Sequence, residues 1–202
     1  MALLGALTPL VKWPRKRLWI EAVFIYTVSG LASALAVGWL LGRTGTLLVQ
    51  FKSVLVWIVP LGAVIFAARD TGWIFFPVPE RKVQTESIWF HQFGPLQAAA
   101  MWGLHIGLGF FTRITYMGFW VLVAALVITG DSRFGALVMG CYWLGRALPA
   151  WVAPVLTVHD DGKAGLRMMA DATEQRVLFR RLHLAGLLCS ALVGIFLALG
   201  SW

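Results

Sequence analysis

The feature that most constrains this chain is an apolar stretch of roughly 35 residues, from Gly94 to Gly130, interrupted near its middle around Arg113. One membrane crossing needs about 20 apolar residues, and two crossings need about 40 plus a turn. The stretch is therefore too long for one plain helix and too short for two. We predict a single crossing by a broken helix, with Arg113 at the break.

The composition places the chain in the membrane class. The sequence is 59% hydrophobic and only 13% charged, whereas a soluble domain carries about 25% charged residues. The net charge of +8 comes from basic residues that flank the apolar segments, so orientation and binding to anionic lipid explain it. We expect no basic run interleaved with solvent-facing aromatic residues, and we therefore expect the lipid bilayer, not nucleic acid, as a partner.

The order of segments predicts an all-α integral membrane protein of about five crossings in the bacterial inner membrane. Residues 1–17 form an apolar stub followed by a basic cluster, the reverse of signal-peptide order, and we expect this stub to lie in the interface. Residues 18–202 form one transmembrane helical domain, with a first part at 18–71 and a second at 94–202. The predicted spans are Leu18–Gly42, Ser53–Ala68, the broken stretch, Phe134–Leu156 and His183–Trp202.

The distribution of Lys and Arg decides between five and six crossings. Splitting the broken stretch into two crossings places eight basic residues on each side of the membrane. Keeping it as one crossing places twelve on the side of the N-terminus and three on the other, with Arg113 inside the membrane. The positive-inside rule therefore favours five crossings with a cytoplasmic N-terminus. Broken helices are tolerated only where the freed backbone is buried or lines a cavity, and they mark binding sites in many transporters.

The segment GLGFFTRITYMGFWVLVAALVITGDSRFGALVMGCYWLGRALPAW resembles the transmembrane family of CcdA and the DsbD membrane domain. In that family a broken helix is followed by an apolar run, a short link and a helix with a Y-x-L-G-x-x-L-P-like pattern. The resemblance covers roughly Leu18–Leu156. It is carried by the break at Gly109–Ile114 and by Gly135, Ala136, Leu137, Tyr142, Leu144, Gly145, Leu148 and Pro149.

The resemblance implies thiol–disulfide electron transfer, but the residues depart from it. Ile114 stands where the family has a cysteine at the break, and Arg113 stands where it has a proline. Thiol exchange needs a thiolate. At about 1.5 Å per residue, Cys141 and Cys189 differ in depth by roughly 10 Å, which is beyond disulfide reach. We therefore expect no dithiol chemistry at the break.

Four residues are candidates for a site. Arg113 and Arg146 lie within apolar helices, where arginine is costly, and with Thr112 they are candidates for contact with a ligand or a partner subunit. Alternatively, the arginines snorkel or cap the carbonyls freed at the break. His105 is the one clearly intramembrane histidine and is a candidate ligand for haem or a pigment. The alternative is a histidine hydrogen-bonded into packing.

These observations predict a membrane subunit or accessory protein on a CcdA-like fold, bound to other membrane subunits and without thiol–disulfide electron transfer. A transporter for a small solute or anion, with its site at the broken helix, is the first alternative. A residual thiol–disulfide carrier using Cys141 or Cys189, or a haem- or pigment-binding subunit, is the second. No nucleophile–base pair, phosphate loop or zinc spacing occurs in the sequence, so an enzyme is disfavoured.

Overall fold

A computed structural model describes residues 16–51, 54, 56–76, 92–109, 118–157 and 176–200. Every long regular element among these residues is an α-helix, which confirms the all-α prediction. A short 3-10 turn at Val49–Phe51 follows the first helix. The helices are α1 (Lys16–Leu47), α2 (Ile58–Thr71), α3 (Pro95–Gly107), α4 (Gly118–Thr129), α5 (Ser132–Thr157) and α6 (Arg176–Gly200).

Helix α1 continues beyond its predicted end at Gly42 to Leu47. The polar residues at this end do not stop the helix, because the Thr44 and Thr46 hydroxyls donate to the carbonyls of Leu41 and Arg43. Buried positions recur every three or four residues, as expected for one packed face of a helix. They are residues 22, 23, 26, 30, 33, 34, 38, 42 and 45.

The chain forms two compact units, and each takes segments from both sequence parts, 18–71 and 94–202. Unit 1 comprises residues 1–36, 80–113 and 138–175. In it α3 runs parallel to α1, since Gly103 contacts Tyr26 and Ser29, whereas Gly107 contacts Gly30 and Ser33. A Cβ atom at either α3 glycine would overlap the backbone or side chains of α1. Such close approach of two helix backbones at glycines is typical of helices packed in lipid.

Helix α5 runs antiparallel to α1. In unit 1 the ring of Trp143 fills the space at Gly30, and its indole N–H donates to the carbonyl of Thr27 at 2.9 Å. In unit 2, Gly135 of α5 lies against the carbonyl of Gly38. The ridge of small residues at Gly30, Ala34 and Gly38 is therefore buried against this chain's own helices. It is not available to another subunit.

Unit 2 comprises residues 37–79, 114–137 and 176–202. In it α2 packs antiparallel to α6, and α4 packs against both. Their shared core consists of small and medium apolar side chains: Ala63, Ala67, Val121, Leu187 and Ala191. The C-terminal end of α4 reaches α1, where the Val127 carbonyl lies against Gly45.

The structure changes some predicted boundaries and leaves others as predictions. Helix α2 begins at Ile58, not Ser53, and ends at Thr71, where Gly72, with a left-handed φ of 87°, caps it. Helix α6 begins at Arg176, seven residues before the predicted start at His183. Helix α3 ends before the predicted break and α4 begins after it, but residues 110–117 lie outside the described residues. The predicted stub at residues 1–17 also lies outside them, except for its last two residues.

Among the described residues, one helix is long and apolar enough to cross a membrane, from Arg17 to Leu47. Only 33% of its most apolar window is buried within the protein, whereas the core helix of a soluble protein would be mostly buried. Helix α4 is apolar along its whole length but is shorter. The described fold is thus a helical protein with a membrane-capable helix near its N-terminus.

Candidate functional site

The candidate residues predicted from sequence do not come together among the described residues. Thr112 and Arg113 lie outside the described residues. His105 is half-buried on α3. In the sequence it lies between Gly103 and Gly107, the two glycines that pack against α1. The described residues contain no group of three or more His, Cys, Asp or Glu side chains that could hold a metal ion. Haem or pigment binding through His105 stays a prediction.

Arg146 is held by a residue one helical turn before it. Its Nη1 atom lies 3.5 Å from the Tyr142 hydroxyl, and its guanidinium carbon lies 5.7 Å from the centroid of the Tyr142 ring. A cation over an aromatic face is attracted by the ring quadrupole. This contact within α5 contributes to the stabilisation that an arginine needs in an apolar helix. Snorkelling of Arg146, or capping of carbonyls by it, stays a prediction.

Unit 2 contains a carboxylate–histidine pair that the sequence did not single out. Asp70 Oδ2 and His183 Nε2 lie 2.8 Å apart, and their side chains are only 10% and 15% exposed. Asp70 is on the last turn of α2, and His183 is on the second turn of α6. Because the two helices are antiparallel, these positions meet at one end of the unit. A hydrogen bond between a carboxylate and an imidazole fixes both the ring orientation and its tautomer.

Arg69 completes the charged cluster. Its Nη1 atom lies 3.6 Å from Asp70 Oδ1. The turn at Gly72 returns the chain to α2, so that Arg69 Nε donates to the Phe76 carbonyl at 3.2 Å and the guanidinium lies 5.4 Å from the centre of the Phe76 ring. These contacts hold the arginine beside the carboxylate. With a neutral imidazole, Arg69, Asp70 and His183 together carry no net charge.

A groove of about 340 Å³ opens beside His183. Most of its lining is apolar, and His183 is the only ionisable member of the described lining, which consists of Val59, Gly118, Val121, Leu122, Ala125, His183, Gly186, Leu187 and Ser190. Gly118, the first residue of α4, faces the imidazole, because a Cβ at this position would lie 2.8 Å from His183 Cε1. The groove therefore borders the point at which the predicted broken helix resumes.

Sequence reasoning missed this pair, although the sequence contains a signal for it. Asp70 follows the second predicted span and His183 begins the last one, so the topology predicted from sequence expects both on the same side of the membrane. Two ionisable residues that lie on the same side of the membrane are candidates for contact if their helices are neighbours. The predicted membrane side gives only a shared depth, whereas the antiparallel packing of α2 on α6 gives the contact.

The two cysteines lie on different units and are both free and exposed: Cys141 on α5 in unit 1 and Cys189 on α6 in unit 2. Neither lines the groove. Comparisons of the chain with protein-family models, with curated proteins and with solved structures found no match. The case for a function therefore rests on the residues themselves.

Proposed function

We propose that this chain is an integral inner-membrane protein of five crossings. The support comes from the exposed surface of the helices, which is apolar in both units. Exposed large apolar side chains in such number are typical of helices that contact lipid or another protein. The exposed apolar residues include Phe24, Val28, Trp39, Leu40, Leu61, Val64, Ile65, Leu137, Leu144, Leu148, Leu188 and Leu192.

The distribution of Lys and Arg supports one crossing for the stretch from Gly94 to Gly130. One crossing places twelve basic residues on the side of the N-terminus and three on the other, whereas two crossings would place eight on each side.

Reporter fusions test this topology directly. Alkaline phosphatase fused after Asp131 or after Trp202 is expected to be active, because five crossings place both points in the periplasm. A green fluorescent protein fused after Gln92 is expected to fluoresce, because that point is cytoplasmic. Six crossings would make both phosphatase fusions inactive, which would refute the proposed topology.

Within this membrane fold the chain acts as a transporter for a small solute. The observation that carries this proposal is the Asp70–His183 pair beside an apolar groove at the start of α4. Ionisable residues within membrane segments are costly and commonly mark pathways for substrates or ions. Solute sites in transporters form where helices are broken, beside the ends of half-helices. The groove volume of about 340 Å³ lies at the lower end of the range for small-molecule sites.

A swelling assay tests transport with solutes of several chemical classes. Proteoliposomes are mixed with glycerol, lactate, chloride or nitrate, and light scattering follows the osmotic response. We expect faster entry of at least one solute than into protein-free vesicles, and loss of that entry in Gly118→Leu, because a leucine fills the groove. Gly62→Ala on α2 is the matched control, since a Cβ there meets no atom within 4 Å. Equal rates with and without protein for every solute would reject transport.

A second candidate is a subunit or accessory protein on a CcdA-like fold, without thiol–disulfide electron transfer. The observation that favours it is the pair of aromatic side chains beyond the end of α2, Trp73 and Phe75, which are 87% and 93% exposed. Aromatic side chains are enriched at protein interfaces. If they bind a partner, Trp73→Ser with Phe75→Ser abolishes co-purification of that partner from mild detergent, whereas Trp39→Ser does not. A chain that purifies alone with full transport would exclude this candidate.

A further inference from the structure

The Asp70–His183 pair has the chemistry of a proton-binding site. A neutral imidazole has one ring nitrogen that can accept a proton, and Asp70 holds the His183 ring through the other nitrogen. The pair is mostly enclosed, and most of its neighbours in the groove are apolar. An isolated charge in such surroundings is costly, so the protonation state of the imidazole controls the electrostatics of the groove.

The charged residues nearest to the pair on its own two helices are arginines. Arg69 on α2 contacts Asp70, and Arg180 and Arg181 on α6 are exposed and precede His183 by less than one turn. Residues 118–129 of α4 carry no ionisable side chain. Arg69, Asp70 and neutral His183 sum to zero charge, and one added proton makes the cluster positive. Movement of that proton across the membrane is therefore electrogenic.

The orientation of the imidazole places its two nitrogens in different surroundings. With Asp70 ionised, Nε2–H of His183 donates to Oδ2, so in the neutral ring Nδ1 is the basic nitrogen. A Cβ built at Gly118 lies 3.4 Å from this Nδ1 atom and 2.8 Å from Cε1. The Nδ1 edge of the ring thus lies beside the first residue of α4, at the groove, and the opposite nitrogen is held by the carboxylate.

We propose that His183 takes up and releases the proton that drives solute movement, and that Asp70 is the positioning residue that holds its ring. This inference rests on the proposed transport function. A proton from water on one side of the membrane adds to the lone pair of Nδ1 and forms the imidazolium. The same N–H bond breaks when the proton leaves to water on the other side, its electron pair stays on Nδ1, and no group is oxidised or reduced.

Proton uptake into proteoliposomes tests the inference. The full chain is reconstituted into vesicles that contain the pH indicator pyranine, the solutes of the swelling assay are added outside one at a time, and a potassium diffusion potential makes the interior negative. We expect wild-type vesicles to acidify faster than protein-free vesicles, because the protonated cluster is positive. His183→Gln and Asp70→Asn are each expected to lower the rate to that of protein-free vesicles, whereas Asp70→Glu keeps a carboxylate and restores part of it.

Two controls separate proton binding from folding. The double variant Asp70→Asn with His183→Gln keeps a hydrogen-bonded pair without a proton-binding nitrogen, so it is expected to elute from size exclusion like wild type and yet to take up no protons. Glu21→Gln removes an acid that pairs with Arg17 in unit 1, and it is expected to retain the wild-type rate.

The outcomes distinguish the inference from the proposed function. Wild-type vesicles that acidify no faster than protein-free vesicles overturn the inference, and so does a His183→Gln protein that acidifies like wild type. If such vesicles still show solute-dependent swelling, transport stands and only proton coupling fails. If neither swelling nor acidification is seen, both proposals fail.

Discussion

The two units of this protein differ in the side-chain contacts that join their described helices. In unit 1 neutral donors of α5 bond to oxygens of α1: the indole nitrogens of Trp143 and Trp151 donate to the carbonyl and the hydroxyl of Thr27, at 2.9 and 3.0 Å. In unit 2 the contact between α2 and α6 is made by chargeable side chains, Asp70 and His183, with Arg69 beside Asp70. Neutral donors can be satisfied by carbonyls that every helix offers, whereas an enclosed carboxylate needs a partner of opposite charge.

This difference separates a packed region from a candidate site. Unit 1 is stabilised by the close packing of its helices at glycines and around a buried tryptophan. Its described polar contacts hold side chains in fixed positions. Unit 2 has small core residues, a groove and a pair of groups that can exchange a proton. Stability is therefore expected to depend on side-chain volume in unit 1, whereas function is expected to depend on charge and on the groove in unit 2, and the following substitutions test that comparison.

The largest effect is expected for Trp143→Ala in unit 1. Trp143 is 1% exposed and fills the space at Gly30, so its truncation leaves a cavity and removes the bond to Thr27. We expect a loss of about 3–5 kcal/mol of unfolding free energy, measured by denaturation in mixed micelles. Trp39→Ala, at an exposed position of α1, is the control. Equal losses for the two variants would contradict the packing role of Trp143.

A smaller loss of stability is expected for Asp70→Ala in unit 2. The substitution removes a charged hydrogen-bond acceptor and leaves the enclosed imidazole of His183 without it, at a cost of about 1.5–3 kcal/mol. Glu21→Ala breaks a pair whose arginine side chain is 92% exposed, and exposed pairs contribute little. The same denaturation measurement compares them. If Asp70→Ala cost no more than Glu21→Ala, the pair would contribute nothing beyond a surface contact.

Gly118→Ala probes the contact between α4 and His183. The added methyl group would lie too close to the imidazole, which is held by Asp70 and cannot turn away freely. We expect about 1 kcal/mol of destabilisation, the lower end of the range for overpacking, and slower solute entry in the swelling assay. Gly62→Ala adds the same methyl group in open space and is expected to change neither quantity. Matching results for the two alanines would remove Gly118 from the site.

The smallest effect, and the only one of opposite sign, is expected for Tyr26→Phe. The Tyr26 hydroxyl is buried and has no hydrogen-bond partner among the described residues. Removing an unpaired polar atom avoids its desolvation cost, and the lost packing of one oxygen offsets part of the gain. We expect a rise in unfolding free energy of about 0.5 kcal/mol. A clear loss of stability would show that the hydroxyl has a partner.

The sequence predicted the helical class because the pattern of apolar segments is a property of local composition. The bounds were less exact. Helix α1 passes through the polar residues after Gly42, since threonine hydroxyls can bond within the helix, and α6 includes the charged residues from Arg176. Charged side chains at a helix end do not terminate it, so a hydropathy pattern gives the apolar part of a helix and not its full length.

The candidate site was less predictable than the fold. Arg146 and His105 were singled out because they lie in apolar helices, and Arg146 has a local aromatic neighbour that sequence spacing also suggests. Asp70 and His183 were treated as the ends of helices, because each looks ordinary when read alone. Their significance comes from being 2.8 Å apart across 113 positions of the chain.

The sequence by itself determined that the chain is helical and rich in membrane-compatible surface, because these follow from residue type and period. Only the tertiary structure decided that the glycine ridge of α1 is covered by the chain's own helices, and that a carboxylate and an imidazole meet beside a groove at the start of α4. Contacts of this kind depend on which helix faces are in contact, and composition along one helix does not specify its neighbour.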